Sequence, residues 1–200
     1  MQDTLGVYCQ ANCQPSPAMT ATDACLAATR TWVETFVVAE NLCPFAGREV
    51  QRGSIDYRVI DGSDWPRALA ALIAACRELE ATEAIETCLL VIPEGLEAFD
   101  DYLDFLELAE TLMTDQGYEG IFQLASFHPD YCFADAEPED PANYTNRSPW
   151  PMLHLLREAS LERALAAYPD PEAIPQRNMD RLREIGDEPL ARALAALRDK

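Results

Sequence analysis

Apolar and polar residues alternate along the chain in a way that predicts helices and strands in turn. From residue 24 to about residue 40, apolar side chains recur every three or four positions, which is the spacing of an amphipathic helix. Asp23 is suited to cap the start of this helix, and Pro44 stops any continuation because proline cannot donate the next backbone hydrogen bond.

Three short apolar segments predict strands over residues 55–60, 86–92 and 120–127. Two helical patterns separate them, one capped by Asp64 and running to about Ala81, the other over residues 96–116. Helical connections of this length favour parallel strands. The predicted fold class is therefore α/β, a small three-stranded and mainly parallel sheet with flanking helices. An antiparallel or split arrangement stays open.

Two further helices are predicted to form a C-terminal pair. The first covers residues 149–167, with Ser148 as N-cap and Pro149 at the first helical position. At about 100° per residue, His154 and Arg157 share the apolar arc of this helix and are expected to face the protein interior. The second covers residues 178–197, with a break at Gly186 or Pro189.

Residues 1–21 show no periodicity and are predicted to be a disordered N-terminal tail, so that residues 22–200 form a single α/β domain. The natural start is left open between Met1 and Met19. Two cysteines in the tail, Cys9 and Cys13, are too few ligands to predict a metal site.

The charge balance excludes some classes of partner. The formal net charge is −20 and the sequence pI is about 4.2, so neither nucleic acid nor an anionic membrane surface is an expected partner. Between Glu78 and Asn146 the chain has eighteen acidic residues and no lysine or arginine. This run indicates a solvated acidic surface, or alternatively a docking face or cation site.

Cysteine usage predicts a cytoplasmic protein. Seven cysteines are scattered without any Cys-x-x-Cys pair, and the first residues lack the basic start and apolar segment of a secretory signal. Cys43 is the candidate nucleophile, but its place after a predicted helix end works against that role, because the negative end of a helix dipole disfavours a thiolate. A small buried residue is the favoured interpretation of Cys43.

The predicted site lies in an aperiodic segment, residues 128–149, and in the helix predicted after it. A loop of this length that is rich in aromatic residues is typical of a functional segment, and it follows a strand, where α/β proteins place ligands. We expect an enzyme or binding protein for a small anionic molecule. Histidines supply acid/base chemistry, carboxylates orient them, and arginines and amides bind the anion. The predicted catalytic residues are His128, His154, Asp130 and Glu158, and the predicted ligand-binding residues are Asn143, Asn146, Arg147 and Arg157.

Two alternatives stay open. His128, Asp130 and His154 imitate a two-histidine, one-carboxylate site for a divalent metal. A non-catalytic interaction protein that uses its acidic face is the other. For single residues there are plainer interpretations, in which Arg157 pairs with an aspartate of the loop and His154 is a core histidine. The hydrolase, NTPase and dinucleotide-binding motifs are missing, and the oligomeric state is not predicted.

Four stretches of the sequence resemble a bacterial family known as domain of unknown function 1415. They read NLCPFA from Asn41, FHPDYCFAD from Phe127, NYTNRSPWPMLHLLRE from Asn143 and IPQRNMDRLREIG from Ile174. The resemblance covers about residues 22–190. It implies a stand-alone cytoplasmic domain and assigns no role to any residue.

Overall fold

The computed structural model of the protein describes residues 20–198. Seven α-helices lie within this range: α1 Ala21–Trp32, α2 Ala46–Arg52, α3 Trp65–Ala81, α4 Phe99–Asp115, α5 Glu158–Ala166, α6 Ile174–Ile185 and α7 Asp187–Arg198. A π-helical segment, Val33–Val38, continues α1. Short 3₁₀ turns lie at Pro141–Thr145 and Pro171–Ala173. No helix in the described range is long and apolar enough to cross a membrane.

Four strands form one sheet in the order β1-β2-β4-β3. They are β1 Ile55–Val59, β2 Thr87–Val91, β3 Phe122–Phe127 and β4 Met152–Arg157. β1 and β2 are parallel, whereas β4 is antiparallel to both of its neighbours. The α/β class is confirmed, but the prediction of three mainly parallel strands is wrong, because the sheet has four strands and most of its pairings are antiparallel.

The direction of the strands explains this difference. β2 and β3 are each antiparallel to β4, so β1, β2 and β3 all run the same way, as helical crossovers through α3 and α4 require. β4 lies between β2 and β3 and removes the parallel contact that the sequence predicts. The carboxyl ends of β1, β2 and β3 therefore meet at one edge of the sheet, where β4 begins.

The helix predicted over residues 149–167 is a strand in its first half and a helix only from Glu158. β4 is buried on both faces, with Met152 on one and Leu153 and Leu155 on the other. The Ser148 hydroxyl does not cap a helix, since it donates to the Trp150 carbonyl at 2.6 Å. Because side chains alternate along a strand, His154 and Arg157 point to opposite faces of the sheet, so their predicted shared arc is wrong.

The core has two layers, one on each face of the sheet. The α1 face packs Leu89, Val91 and Met152 against Trp32 and other side chains of α1 and the π-helical segment. The α3 face packs the strands against α3 and α4. Caps fix two of these helices: Asp64 accepts from the Arg67 amide, as predicted, whereas Thr20 rather than Asp23 caps α1.

The predicted pair of C-terminal helices, 149–167 and 178–197, is wrong in its bounds, because the first is a strand up to Arg157 and the second is two helices. α6 and α7 are separated at Gly186, one of the two predicted break points, whose φ of 86° favours glycine. The second predicted helix thus begins earlier, at Ile174, and is two helices. The predicted tail, residues 1–21, lies almost wholly outside the described residues, as do Met19, Cys9 and Cys13.

Candidate functional site

The segment from His128 to Pro149 is held to the strand edge by its own amides. The Asn143 side chain is fully buried, accepts from the Phe133 amide at 3.1 Å and donates to the Glu137 carbonyl at 2.8 Å. Asn146 donates to the Ser126 carbonyl of β3 at 3.0 Å. Both predicted ligand-binding amides therefore fold the loop and join it to the sheet.

His128 is a buried neutral histidine. Its Nε2 donates to the Leu96 carbonyl at 3.1 Å, and its Nδ1 accepts from the Asp130 amide at 3.0 Å. The rings of Phe99 and Tyr102 lie about its imidazole. Burial lowers the pKa of His128 below its usual 6.5, and the positive charge of Arg198 adds to that effect. Both ring nitrogens are bonded to the backbone.

Arg147 also bonds the loop rather than an open cavity. Its Nε donates to the Tyr131 carbonyl at 3.0 Å and its Nη2 to the Pro138 carbonyl at 2.7 Å. Its guanidinium carbon lies 4.7 Å from the centre of the Tyr144 ring, and its Nη1 lies 4.0 Å from the Asp187 carboxylate at the start of α7. The side chain is only 13% exposed, and these contacts compensate its charge.

His154 lies on the α1 face and bonds Thr87 of β2. The Thr87 hydroxyl donates to the Leu155 carbonyl, so it accepts from His154 Nε2, which lies 2.6 Å away and therefore carries the hydrogen. Burial lowers the pKa of His154 to about 4. The neutral ring is the stable form at neutral pH.

Arg157 reaches the C-terminal end of α3. Its Nε donates to the Ile85 carbonyl at 3.2 Å, and its Nη2 bonds the carbonyls of Leu79, Thr82 and Ile85. The last carbonyls of a helix lack partners within the helix and carry the negative end of its dipole. Arg157 donates to carbonyls in the last turn of α3 and just after it, those of Leu79, Thr82 and Ile85, and not to the loop aspartates considered above.

The remaining two predicted residues do not complete a cluster. Asp130 is exposed, and its backbone amide rather than its carboxylate meets His128. Glu158 is the first residue of α5, where its backbone amide donates to Ile121.

His128 and His154 lie apart as well. Ala125 of β3 pairs with His154. His128, which directly follows β3, is three residues beyond Ala125, a distance of roughly 10 Å at strand spacing. Within residues 20–198 no group of three or more His, Cys, Asp or Glu is placed to hold a metal ion. The divalent-metal triad of His128, Asp130 and His154 is thus not assembled. The acid/base and anion-binding roles of the predicted residues stay predictions, because no observation tests them directly.

A cleft of about 780 Å³ lies at the carboxyl ends of β1 and β2. Its walls come from α1, from the ends of both strands, from the first turns of α3, from Trp150 and from the end of α7. Apolar groups that line it include Ala24, Cys25, Ala28, Val59, Trp150 and Leu197. The volume suits a small organic ligand, and the location is the one where open α/β sheets bind ligands.

Among residues 20–198, four charged side chains line the cleft: Asp61, Arg67, Glu94 and Arg198. The exposed Arg67 guanidinium has neither a hydrogen bond nor an ion pair with another described residue. Arg198 donates through Nε to the Pro149 carbonyl at 2.6 Å, and its guanidinium carbon lies 5.3 Å from the centre of the Trp150 ring. Within residues 20–198, no group takes the remaining guanidinium donors of either arginine.

Cys25 in the cleft wall does not act as a nucleophile at neutral pH. The side chain is buried at 4% exposure, and burial raises the pKa of its thiol to about 11. Cys43, the candidate nucleophile of the sequence, is half-buried and does not line the cleft.

None of the eight predicted catalytic and ligand-binding residues lines this cleft. Within the stretch NYTNRSPWPMLHLLRE, residues 143–158, only Trp150 lines the cleft. The sequence has a signal for the location, since Asp61 and Glu94 each follow a predicted strand and Arg67 lies in the first turn of the next helix. Arg198 has no such signal, because only tertiary packing brings the end of α7 to this edge.

Comparison with known proteins gives one match. A family model described as "Protein of unknown function (DUF1415)" matches residues 24–192. No curated protein and no solved structure matches the chain.

Proposed function

We propose that this chain, which belongs to the family described as protein of unknown function (DUF1415), binds a small organic anion in the cleft at the ends of β1 and β2. The observation that carries this proposal is the pairing of a cavity of ligand size with two arginines whose donors are only partly used. Arginines are the proposed anion-binding residues, as in the sequence analysis. They are Arg67 and Arg198 in the cleft, however, and not Arg147 and Arg157.

Unused hydrogen-bond donors in the cleft favour a ligand that is rich in hydrogen-bond acceptors. Arg67 keeps its guanidinium donors, and Arg198 uses one of its own on Pro149. On the acceptor side, the Asp61 carboxylate already receives the amide and hydroxyl of Ser63. Arginines in this state bind carboxylate or phosphate groups through paired hydrogen bonds. The apolar wall of α1 and Trp150 then favours a ligand with an apolar body.

The test is a thermal-shift screen of small carboxylates and phosphate monoesters against the full chain and its variants. We expect carboxylates with an apolar body to raise the melting temperature of the wild type. Arg67→Gln should weaken their binding about tenfold or more, since a charge-assisted hydrogen bond contributes about 1.5–3 kcal/mol. Because the Arg67 guanidinium bonds no described residue, this variant should change the stability of the free protein little.

A matched control separates the cleft from general charge effects. Arg52 of α2 is exposed and does not line the cleft, so Arg52→Gln changes the net charge equally and should leave binding unchanged. Equal loss in both variants, or a ligand shift that survives Arg67→Gln and Arg198→Gln, contradicts the proposed site.

A further inference from the structure

The two carboxylates of the cleft lie on loops that are packed directly against each other. The Gly62 amide donates to the Glu94 carbonyl at 3.0 Å. A side chain at Gly62 would lie 2.7 Å from that carbonyl oxygen, and one at Gly95, whose φ is +91°, would lie 2.2 Å from the Ser63 amide nitrogen. Neither position accepts a larger residue, so the backbones that carry Asp61 and Glu94 are held side by side.

These carboxylates keep free acceptor capacity. Both hydrogen bonds from Ser63 go to Oδ1 of Asp61, and neither the Oδ2 of Asp61 nor the carboxylate of Glu94 bonds a described residue. The bonds from Ser63, with the nearby positive charge of Arg67, keep the pKa of Asp61 below its usual value. The negative charge of Asp61 is thus maintained at neutral pH.

The cleft is electrically balanced in a chain of net charge −20. Of the side chains that the structure describes, two arginines and two carboxylates line it, so their formal charges cancel. A simple anion would meet the two arginines favourably and the two carboxylates unfavourably. A ligand with one group of each sign satisfies all four side chains.

We propose that the ligand is a zwitterion with an apolar body, such as a free α-amino acid, whose carboxylate meets Arg67 and Arg198 while its ammonium meets Glu94 and Asp61. This inference rests on the proposed function and narrows it to a ligand class. The ammonium group has three donors and no acceptor, which matches the free oxygens of the paired loops. The apolar walls receive the side chain of the ligand.

The test compares L-phenylalanine with 3-phenylpropionate, which lacks the ammonium group, and with 2-phenylethylamine, which lacks the carboxylate. L-leucine, 4-methylpentanoate and 3-methylbutylamine form the analogous aliphatic set. Isothermal titration calorimetry on the full chain gives the affinities. We expect each amino acid to bind about tenfold or more tightly than its acid and its amine. Glu94→Gln should remove most of the difference in affinity between the amino acid and its acid. Arg67→Gln should weaken the binding of the amino acid and of the acid by similar factors.

Glu107→Gln on α4 is the matched control, because Glu107 is exposed and does not line the cleft. It should leave all affinities unchanged. An acid that binds the wild type as tightly as its amino acid overturns the zwitterion and leaves the proposed anion site standing. Absence of binding by every amino acid and acid at millimolar concentration, or tightest binding by the amines, overturns both.

Discussion

Arg157 shows why an inward-facing charge is weak evidence for a ligand. A buried guanidinium needs hydrogen-bond acceptors, and carbonyls at the end of a helix provide them as well as a ligand does. In this protein the end of α3 and the turn that follows it provide these acceptors, through Leu79, Thr82 and Ile85. The need for a partner was predictable from the sequence, but the partner was not, because it lies more than seventy residues away in the chain.

Replacing Arg157 tests its structural role. Arg157→Gln removes most of the donors to three carbonyls, so we expect the free energy of unfolding to fall by about 2–3 kcal/mol. Urea denaturation followed by circular dichroism measures this change. Arg163→Gln on α5 is the control, since its one hydrogen bond, to Ser160, is on the surface. A loss of ligand binding in Arg157→Gln without loss of stability would contradict the structural role.

The two buried histidines should make the stability of the protein depend on pH. Burial lowers the pKa of both imidazoles, that of His154 to about 4, so the folded chain favours their neutral forms. The preference of the fold for neutral imidazoles contributes stability that is complete above pH 6.5, the usual histidine pKa in an unfolded chain. This stability is lost as pH falls from there towards the pKa of each histidine in the folded protein. For His154 the window runs from about 6.5 to about 4.

Nuclear magnetic resonance can follow both rings, because the chain has only two histidines. We expect both imidazoles to titrate below pH 6.5 and His154 to stay neutral to below pH 5. The hydrogen at Nε2 of each ring should be visible at neutral pH, as the bonds to Leu96 and Thr87 require. Titration of either ring above pH 6.5 would show that its environment is not the one described.

At the scale of elements, β4 is where prediction from the sequence fails. Short apolar runs do not distinguish a buried strand from a buried helix by periodicity, and Ser148 followed by Pro149 imitates a helix start. The segments at β1, β2 and β3 were predictable because β-branched and aromatic residues, with glycine or proline at their ends, mark them. β4 carries three leucines, a methionine and an arginine, whose propensities favour a helix.

Leu155 distinguishes the two structures of this segment. At 100° per residue it would lie on the outer side of a helix that turns Trp150, His154 and Arg157 inward, whereas in β4 it is fully buried. Leu155→Ala should lower the free energy of unfolding by about 2–5 kcal/mol. Leu108→Ala on α4 is the control, because Leu108 is 46% exposed and should change stability little. Equal and small effects would contradict the strand.

For the whole molecule, the question is which part of the strand edge binds a ligand. The sequence predicts a site at the carboxyl ends of strands, and β1, β2 and β3 do share that edge. It assigns the site to the segment after β3, where polar residues are concentrated. Those residues, Asn143, Asn146 and Arg147 among them, are occupied in folding a long loop, which needs many side-chain hydrogen bonds of its own.

The most direct test maps a bound ligand onto the chain by amide chemical shifts. The ¹⁵N-labelled protein is titrated with L-phenylalanine and, separately, with 3-phenylpropionate. The structure predicts that the perturbed amides cluster around the cleft, at the start of α1, the ends of β1 and β2 and the first turns of α3, with little change from Asp130 to Arg147. Perturbations centred on Asn143, Asn146 and Arg147, or none around Asp61 and Arg67, would contradict the assignment of the site to the cleft.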